Sequence, residues 1–532
     1  MSAVEEPDAQ VVLQPAQSVP WLGLTAVLMG TFISTLNGRL STFGLADIRG
    51  ALHVGFDEGA WITTAQTVAQ MLVAPIAIWV GVAFGPRRVL LESAMAFAAI
   101  SLVIPFSINL PMFLGLQFAG GLASGFFVPL TLSFILRNTA PRYWAYGVAI
   151  YALNLELSLN ISASLEAWYI DHLTWRWIFW QNVPLAVIMA LCLHVGVSPD
   201  KVNLNRPKAD LFGLVAGGLG LAVIYAGLDQ GNRLDWLNSG LVTGLLLAGG
   251  VLVIGFIIHE VVTISPGVNL KAAFAAPLPR LLILIAFLRL TILSVSYLIP
   301  QYLQVVRGFR AFEVGQALFW IAAPQLIICP LAAVFLRRLD SRLVSSIGFI
   351  LISCACIIVA HTLTPRWSSH QFLPTQLLQA VGQSFALSGI LFFAVLHLKP
   401  EDALTFGASI QTARLMGGQI GQAFVVTLTR VRGQIASNSI GLHIQSGSEQ
   451  VNERLRLYSA VTGHGGDPGG ISARAFAVLG GVVRSVAVTQ GIIDSFVVVG
   501  GLTAVALLLV VAHRPAPLGP ASHNSFFRRD GI

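Results

Sequence analysis

Residues 239–259 read SGLVTGLLLAGGVLVIGFIIH, twenty-one positions without Asp, Glu, Lys or Arg. A bilayer's hydrocarbon core takes roughly 20 helical residues to cross. Inside it, only helices and closed barrels satisfy their own backbone groups. This run has the length and apolarity of one membrane-spanning helix, and the rest of the chain repeats the pattern. Further runs fall near 20–37, 60–83, 89–107, 111–136, 146–169, 177–197, 210–229, 278–300, 314–336, 343–362, 372–396, 406–429 and 492–513. That makes fourteen expected spans in 532 residues. A mean hydropathy of +0.77 with 10% charged residues excludes an ordinary soluble domain. The expected fold class is an all-α integral membrane protein.

The charges between the runs give an orientation. With the N-terminus inside, the cytoplasmic loops hold Arg87, Arg88, Arg137, Arg142, Lys201, Arg206, Lys208, Lys271, Arg280, Arg337, Arg338, Arg342 and Lys399, and the tail adds Arg514, Arg528 and Arg529. The short outer loops hold about seven, and positive charge marks the cytoplasmic side. Both termini are therefore expected in the cytoplasm. The net charge of +7 is read in the same way, not as a nucleic-acid surface. Trp61, Trp168, Trp175, Trp177, Trp180 and Trp236 sit near expected outer boundaries, as an aromatic belt does. The start, MSAVEEPDAQ, has no basic signal-peptide region, so the first run is expected to be retained as a span. Cys192, Cys329, Cys354 and Cys356 fall in or beside apolar runs as small hydrophobes. No nucleotide loop, nucleophile elbow, zincin motif or metal-ligand spacing occurs. Neither an enzyme nor a cofactor or metal site is expected.

The turn after span 2, Gly85-Pro86-Arg87-Arg88, matches in place the turn after span 10, Arg337-Arg338-Leu339-Asp340-Ser341-Arg342. Spans 9–14 then repeat spans 1–6, with spans 7 and 8 inserted. The expected layout is a tail at 1–19, a six-helix half at 20–197 and an inserted pair with its loops at 198–277. A second six-helix half follows at 278–513, with an outer loop at 431–490, and a tail at 514–532. In that loop 448–458 reads as a short helix, 463–470 as a flexible break and 471–490 as a surface helix. It could dock an accessory protein or cap the outer mouth.

Several stretches carry a resemblance: Trp61-Ile-Thr-Thr-Ala with Pro75; Trp175-Arg-Trp-Ile-Phe-Trp-Gln-Asn-Val-Pro184; Gly227 to Trp236; Pro300-Gln-Tyr-Leu-Gln304 with Gly308-Phe309; and Arg414-Leu-Met-Gly-Gly-Gln-Ile-Gly421. In this order, over about 20–513, the chain resembles a fourteen-span drug:proton antiporter of the major facilitator superfamily. The resemblance implies two six-helix halves around a midplane site, small-molecule substrates and protons as partners. It also implies a periplasmic adaptor protein and an outer-membrane channel as candidate partners. The chain departs from the family pattern at several positions. Asn37 stands where the family usually has Asp. Val82 and Ala83 fill the acidic and basic positions after span 2, and Gln117 replaces the span-4 Arg. Ser162-Ala163 replaces the Gly-Pro of span 5, and Glu166-Ala167 its paired glycines.

Coupling carboxylates are therefore sought elsewhere. On span 5, Asn154, Ser158, Ser162 and Glu166 form one row at spacings of four, and Glu156, Asn160 and Ser164 a second. The rows are adjacent on a helix and make one polar face, which is costly against lipid. Glu156 and Glu166 are the proton-coupling candidates; the other reading is interhelical hydrogen bonding. Arg289, near mid-span 9, binds an anionic group or pairs with a carboxylate such as Glu156. Arg39 lies at the outer end of span 1 and could simply snorkel. Thr63, Gln66 and Gln70 share one face of span 2, and Gln376, Gln379 and Gln383 one face of span 12. These amides line a cavity or join helices. With Asn37, Asn154, Ser158, Asn160 and Arg289 they complete the cavity candidates. The gating candidates are Gly85, Arg87, Arg88, Gly121, Gly125, Arg337, Arg338, Asp340, Arg342, Arg414, Gly417 and Gly418. For the glycines, close helix packing is the leading reading.

Three functions follow from these expectations. The first is proton-coupled efflux of small amphipathic compounds. The second is facilitation or import of a specific metabolite on the same fold. The third is a receptor or scaffold without flux.

Overall fold

In the computed structural model the described residues are 21–198, 210–263, 278–398, 403–444, 448–462 and 468–513. The two tails, Lys201, Arg206, Lys208, Lys271, Lys399 and residues 463–467 of the expected break lie outside them. The apolar runs become helices whose ends are set by local chemistry. The first six are α1 (Trp21–Phe43), α2 (Trp61–Phe84), α3 (Pro86–Val103), α4 (Leu110–Asn138), α5 (Trp144–His172) and α6 (Asn182–Gly196). Gly85, at φ 84°, makes the turn from α2 into α3 in a conformation that favours glycine. The Asn109 side chain accepts from the Met112 N–H at 2.9 Å and caps α4. This helix breaks at Gly125-Phe126 where a single span was expected. Pro129 has no N–H to give the Gly125 carbonyl, four residues back.

The inserted pair is α7 (Leu211–Gly231) and α8 (Gly240–Val262). Asp210 caps α7 through the Gly213 N–H at 3.1 Å. α7 packs on α2 with no room for a side chain between them: a Cβ on Gly218 would lie 2.3 Å from the Leu72 carbonyl oxygen. It also reaches the second half, where Asn232 Nδ2 donates to the Ala423 carbonyl at 2.9 Å. α8 packs on α7 and buries only Val242, Gly249 and Glu260. Its remaining apolar surface suits lipid.

The second half holds α9 (Leu278–Gln301), α10 (Ala311–Arg338), α11 (Ser341–Thr362), α12 (Leu373–Leu396), α13 (Ala403–Leu442), α14 (Glu449–Thr462) and α15 (Pro468–Val511). The halves meet along α5 and α10, α5 and α12, and the second part of α4 and α13. One apolar core, with Tyr151, Phe127, Phe349, Phe392 and Phe406 fully buried, runs through both.

Thirteen of the fourteen expected spans fall on helices with the length and apolarity of a span among the described residues. The expected span 406–429 lies on α13, whose buried face carries Gln411, Arg414 and Gln419. The outer loop differs. Residues 471–490 and the span at 492–513 are one helix, α15, of 44 residues, facing an α13 of 40 residues. At 1.5 Å per residue these reach roughly 60 Å or more, about twice the hydrocarbon thickness. α15 runs unbroken through Gly480 and Gly481, and α13 and α14 pack along it elsewhere. Arg432 pairs with Asp494 at 2.6 Å, and the Thr429 and Ser495 hydroxyls bond at 2.8 Å.

Candidate substrate cavity

The leucine-rich span 5 carries its polar residues on one face, and the fold turns that face toward the second half. Arg289 Nη1 on α9 donates to Glu156 Oε1 on α5 at 2.9 Å. The pair is almost fully enclosed, at 3% and 0% exposure. One turn further on, Asn160 Nδ2 faces the Gln325 and Gln383 amide oxygens at 3.2 and 3.1 Å. Gln383 continues to Gln379 at 3.3 Å, and Gln379 to Cys356 Sγ at 3.7 Å. Gln376 donates to the Ala317 carbonyl at 3.1 Å. These amides join α5, α10, α11 and α12 to one another.

A cavity of about 120 Å³ lies between the halves, beside this network. Its polar wall is Ser34, Thr35 and Arg39 from α1; Thr63, Thr67 and Gln70 from α2; Tyr225 and Asp229 from α7; Arg289 from α9; and Arg414, Gln419 and Gln422 from α13. A second cavity, about 250 Å³, shares Arg39, Thr42, Leu293 and Gln422 with the first. It continues past Tyr297 to Pro300, Gln301 and Gln304, at the end of α9 on the expected outer face. Together the two fall at the lower end of the range of organic-ligand sites, roughly 300–1,000 Å³. Toward the opposite face the halves close. A Cβ on Gly407 of α13 would lie 2.3 Å from the Pro129 carbonyl oxygen of α4, and Gly81 packs on Leu404.

Of the expected cavity residues, Gln70 and Arg289 line the wall, and so does the gating candidate Arg414. Gln70 Nε2 donates to Ser34 and Ser124 at 3.2 and 3.1 Å. The others are not on either wall. Glu156 sits behind Arg289, against the expectation that it faces the cavity, because its salt bridge draws it into the helix interface. Asn37 accepts from Asn182 at 2.6 Å between α1 and α6. Gln66 is buried beside Gly121, Ser158 bonds back to the Leu155 carbonyl at 3.2 Å, and Asn154 is half-buried. Asn160, Gln376, Gln379 and Gln383 are held in the amide network. Glu166 is buried near the end of α1, beside Gly44.

The gating candidates have structural partners. Arg87 holds the last carbonyls of α6, at 3.0 Å from His194, and Arg88 pairs with Glu92 at the surface. Arg337 of α10 donates to the Tyr146 hydroxyl of α5 at 3.0 Å, crossing between the halves. Asp340 caps α11 and pairs with Arg342, which also donates to the His513 carbonyl at 2.6 Å. Arg338 is exposed. A Cβ on Gly121 would meet the Gln66 carbonyl at 2.3 Å, one on Gly417 the Ala286 backbone at 2.5 Å, and one on Gly418 Leu293 at 2.4 Å. A Cβ on Gly125 would touch Val73 at 3.0 Å. All four are points of close helix approach.

The sequence reading missed Asp229 and Tyr225. Asp229 Oδ1 accepts from Gln419 Nε2 at 3.0 Å, and Oδ2 accepts from the Thr64 hydroxyl and from Gln230 Nε2. Its carboxylate thus touches α2 of the first half and α13 of the second. The signal was present: Asp229 lies within the Gly227–Trp236 landmark. It was passed over because spans 7 and 8 read as an appended pair. Among the described residues, no cluster of three His, Cys, Asp or Glu residues could hold a metal ion.

A polytopic helical protein with a polar cavity between two six-helix halves is built as a membrane transporter rather than an enzyme. The chain belongs to the Major Facilitator Superfamily, whose family model matches residues 27–422. It is 27% identical over 426 residues to the probable multidrug resistance protein EmrY of Escherichia coli K12, covering 77% of this chain and 80% of that one. It is 24% identical to the multidrug export protein EmrB of the same organism, over 83% of this chain and 85% of that one. Its fold is similar to a crystal structure of the human organic anion transporter MFSD10, with a TM-score of 0.58 at 14% identity, covering 93% of this chain and all of that one.

Proposed function

We propose that the chain is a secondary exporter of small amphipathic organic compounds, driven by proton entry and working by alternating access between its two halves. The observation that carries this reading is the cavity: it lies between the halves, continues toward one face and is closed at the other by Gly407 against Pro129. The relatives named for multidrug resistance and export support the substrate class and the direction. In this reading α13 is the fourteenth span, its polar face turned to the cavity. The protein sits in a bacterial inner membrane with both termini in the cytoplasm.

The coupling carboxylate in this reading is Asp229. It faces the cavity, whereas Glu156 is committed to Arg289 and Glu166 lies near the outer end. An ionised Asp229 accepts from Thr64 and Gln419 together. Protonation removes acceptor capacity and loosens a contact that ties α2 to α13. The projecting ends of α13 and α15, with α14, are offered as the surface for a periplasmic adaptor leading to an outer-membrane channel.

The test is flux of a panel of amphipathic dyes and antibiotics in proteoliposomes, with and without an imposed pH gradient. Gradient-driven accumulation supports export by exchange. Gradient-independent equilibration of one compound would favour a facilitator, and no flux of any compound a receptor or scaffold.

A further inference from the structure

We infer that the cavity is a site for organic anions. A carboxylate-bearing amphipath sits with its acid group between Arg39 and Arg414 and its apolar body along Leu159, Leu293 and Tyr297. The inference rests on the export reading and adds the substrate class to it.

The charges around the cavity carry the argument. Three arginines line it, Arg39, Arg289 and Arg414, against one carboxylate, Asp229. Arg289 is neutralised from behind by Glu156 at 2.9 Å. Asp229 takes its hydrogen bonds from Thr64, Gln230 and Gln419, which are neutral donors. Arg39 and Arg414 therefore have no carboxylate partner among the described residues. Arg414 is 4% exposed. Its Nη1 donates to Thr35 at 3.1 Å and its Nη2 to Gln411 at 2.7 Å, while its Nε has no protein partner. Arg39 Nε is also buried without one, and its guanidinium lies 5.1 Å over the Phe43 ring.

Buried guanidinium groups without a counter-charge are costly. Their planar forks match a carboxylate better than any neutral group. Arg39 belongs to α1 of the first half and Arg414 to α13 of the second. An anion between them is gripped from both halves, so its affinity depends on how far apart the halves stand. Such differential affinity is what lets a ligand shift a conformational equilibrium. The second cavity supplies the rest: its wall of Phe43, Leu293, Tyr297 and Pro300 suits an apolar body.

The test is equilibrium binding of three radiolabelled probes to the purified full-length chain in nanodiscs. The probes are 1-naphthylacetate, 1-naphthylacetamide and 1-naphthylmethylamine, which share a ring system and differ in charge. The acetate is expected to bind tightest, with a margin over the acetamide on the order of tenfold, as a charge-assisted pair gives. Arg39→Gln and Arg414→Gln should each erase that margin, and Arg414→Lys should keep part of it. If Arg414→Gln does not fold, Arg39→Gln alone decides. Equal binding of acetate and acetamide, or a margin unchanged in the Gln variants, overturns the inference. The same probes then enter a flux assay. Transport of the amine or amide without acetate binding removes the anion site and leaves export standing. Arginine-dependent acetate binding without flux of any compound leaves the site and removes export.

Discussion

Asp229 and Gln419 are joined by a hydrogen bond of 3.0 Å, although one belongs to the inserted helix α7 and the other to α13 of the second half. With Thr64 of α2 on its other oxygen, Asp229 links three parts of the chain at the cavity wall. The inserted pair is therefore unequal in role. α8 faces outward, while α7 completes the site.

Asp229→Asn keeps the shape and a carbonyl acceptor but cannot ionise. Gradient-driven flux should fall at least about tenfold while the protein stays folded, since the proton transfer itself is lost. The measurement is initial efflux rate against imposed pH difference. An unaltered response would return the coupling role to Glu156 or Glu166.

Removing one partner of the Glu156–Arg289 pair strands the other charge. Glu156→Gln should lower the unfolding free energy in detergent by about 3 kcal/mol or more. The double variant Glu156→Gln, Arg289→Gln should recover much of that loss. Equal destabilisation by the single and double changes would mean that the pair is not coupled.

Gly407→Ala sets a methyl against the Pro129 carbonyl, between two backbones that cannot yield. Overpacking of this kind costs about 1–3 kcal/mol. The cost falls only on the conformation closed at this face, so the opposite conformation should gain. Labelling of a cysteine introduced at Leu404 should speed up roughly tenfold, following that energy. Unchanged labelling would show that the contact does not gate this face.

Topology can be read by reporter fusions. Fusions at residue 205 and at the C-terminus should report cytoplasm, and a fusion near residue 460 the outside. A fusion at the C-terminus that reports outside would remove the fourteen-span arrangement, and with it the span assigned to α13.

The fold was legible because span length and apolarity are local properties. A run such as 239–259 declares itself without any tertiary information. The pairing of Glu156 with Arg289 was also legible in part, since a mid-depth charge demands a partner. The wall of the cavity was less so. Gln376, Gln379 and Gln383 share a helix face in the sequence, yet which neighbour that face meets is decided by packing between helices far apart in the chain. Asp229 was hidden for the same reason: at the end of a span it looks like a boundary residue until α7 is placed against α2 and α13. Residues 471–490 read as a surface helix apart from the last span because a further crossing would put the C-terminal arginines outside, yet one helix runs through both without a second crossing being needed.

The central claim is that the two halves alternate around this cavity, and distance measurements between spin labels test it most directly. One pair, at Tyr143 and Arg338, reports the expected cytoplasmic face; the other, at Thr42 and Gln304, reports the outer vestibule. In nanodiscs, adding transported compound and lowering the pH should lengthen one distance while shortening the other. Two distances that stay fixed, or that lengthen together, in a preparation that still carries flux would contradict alternating access by this route.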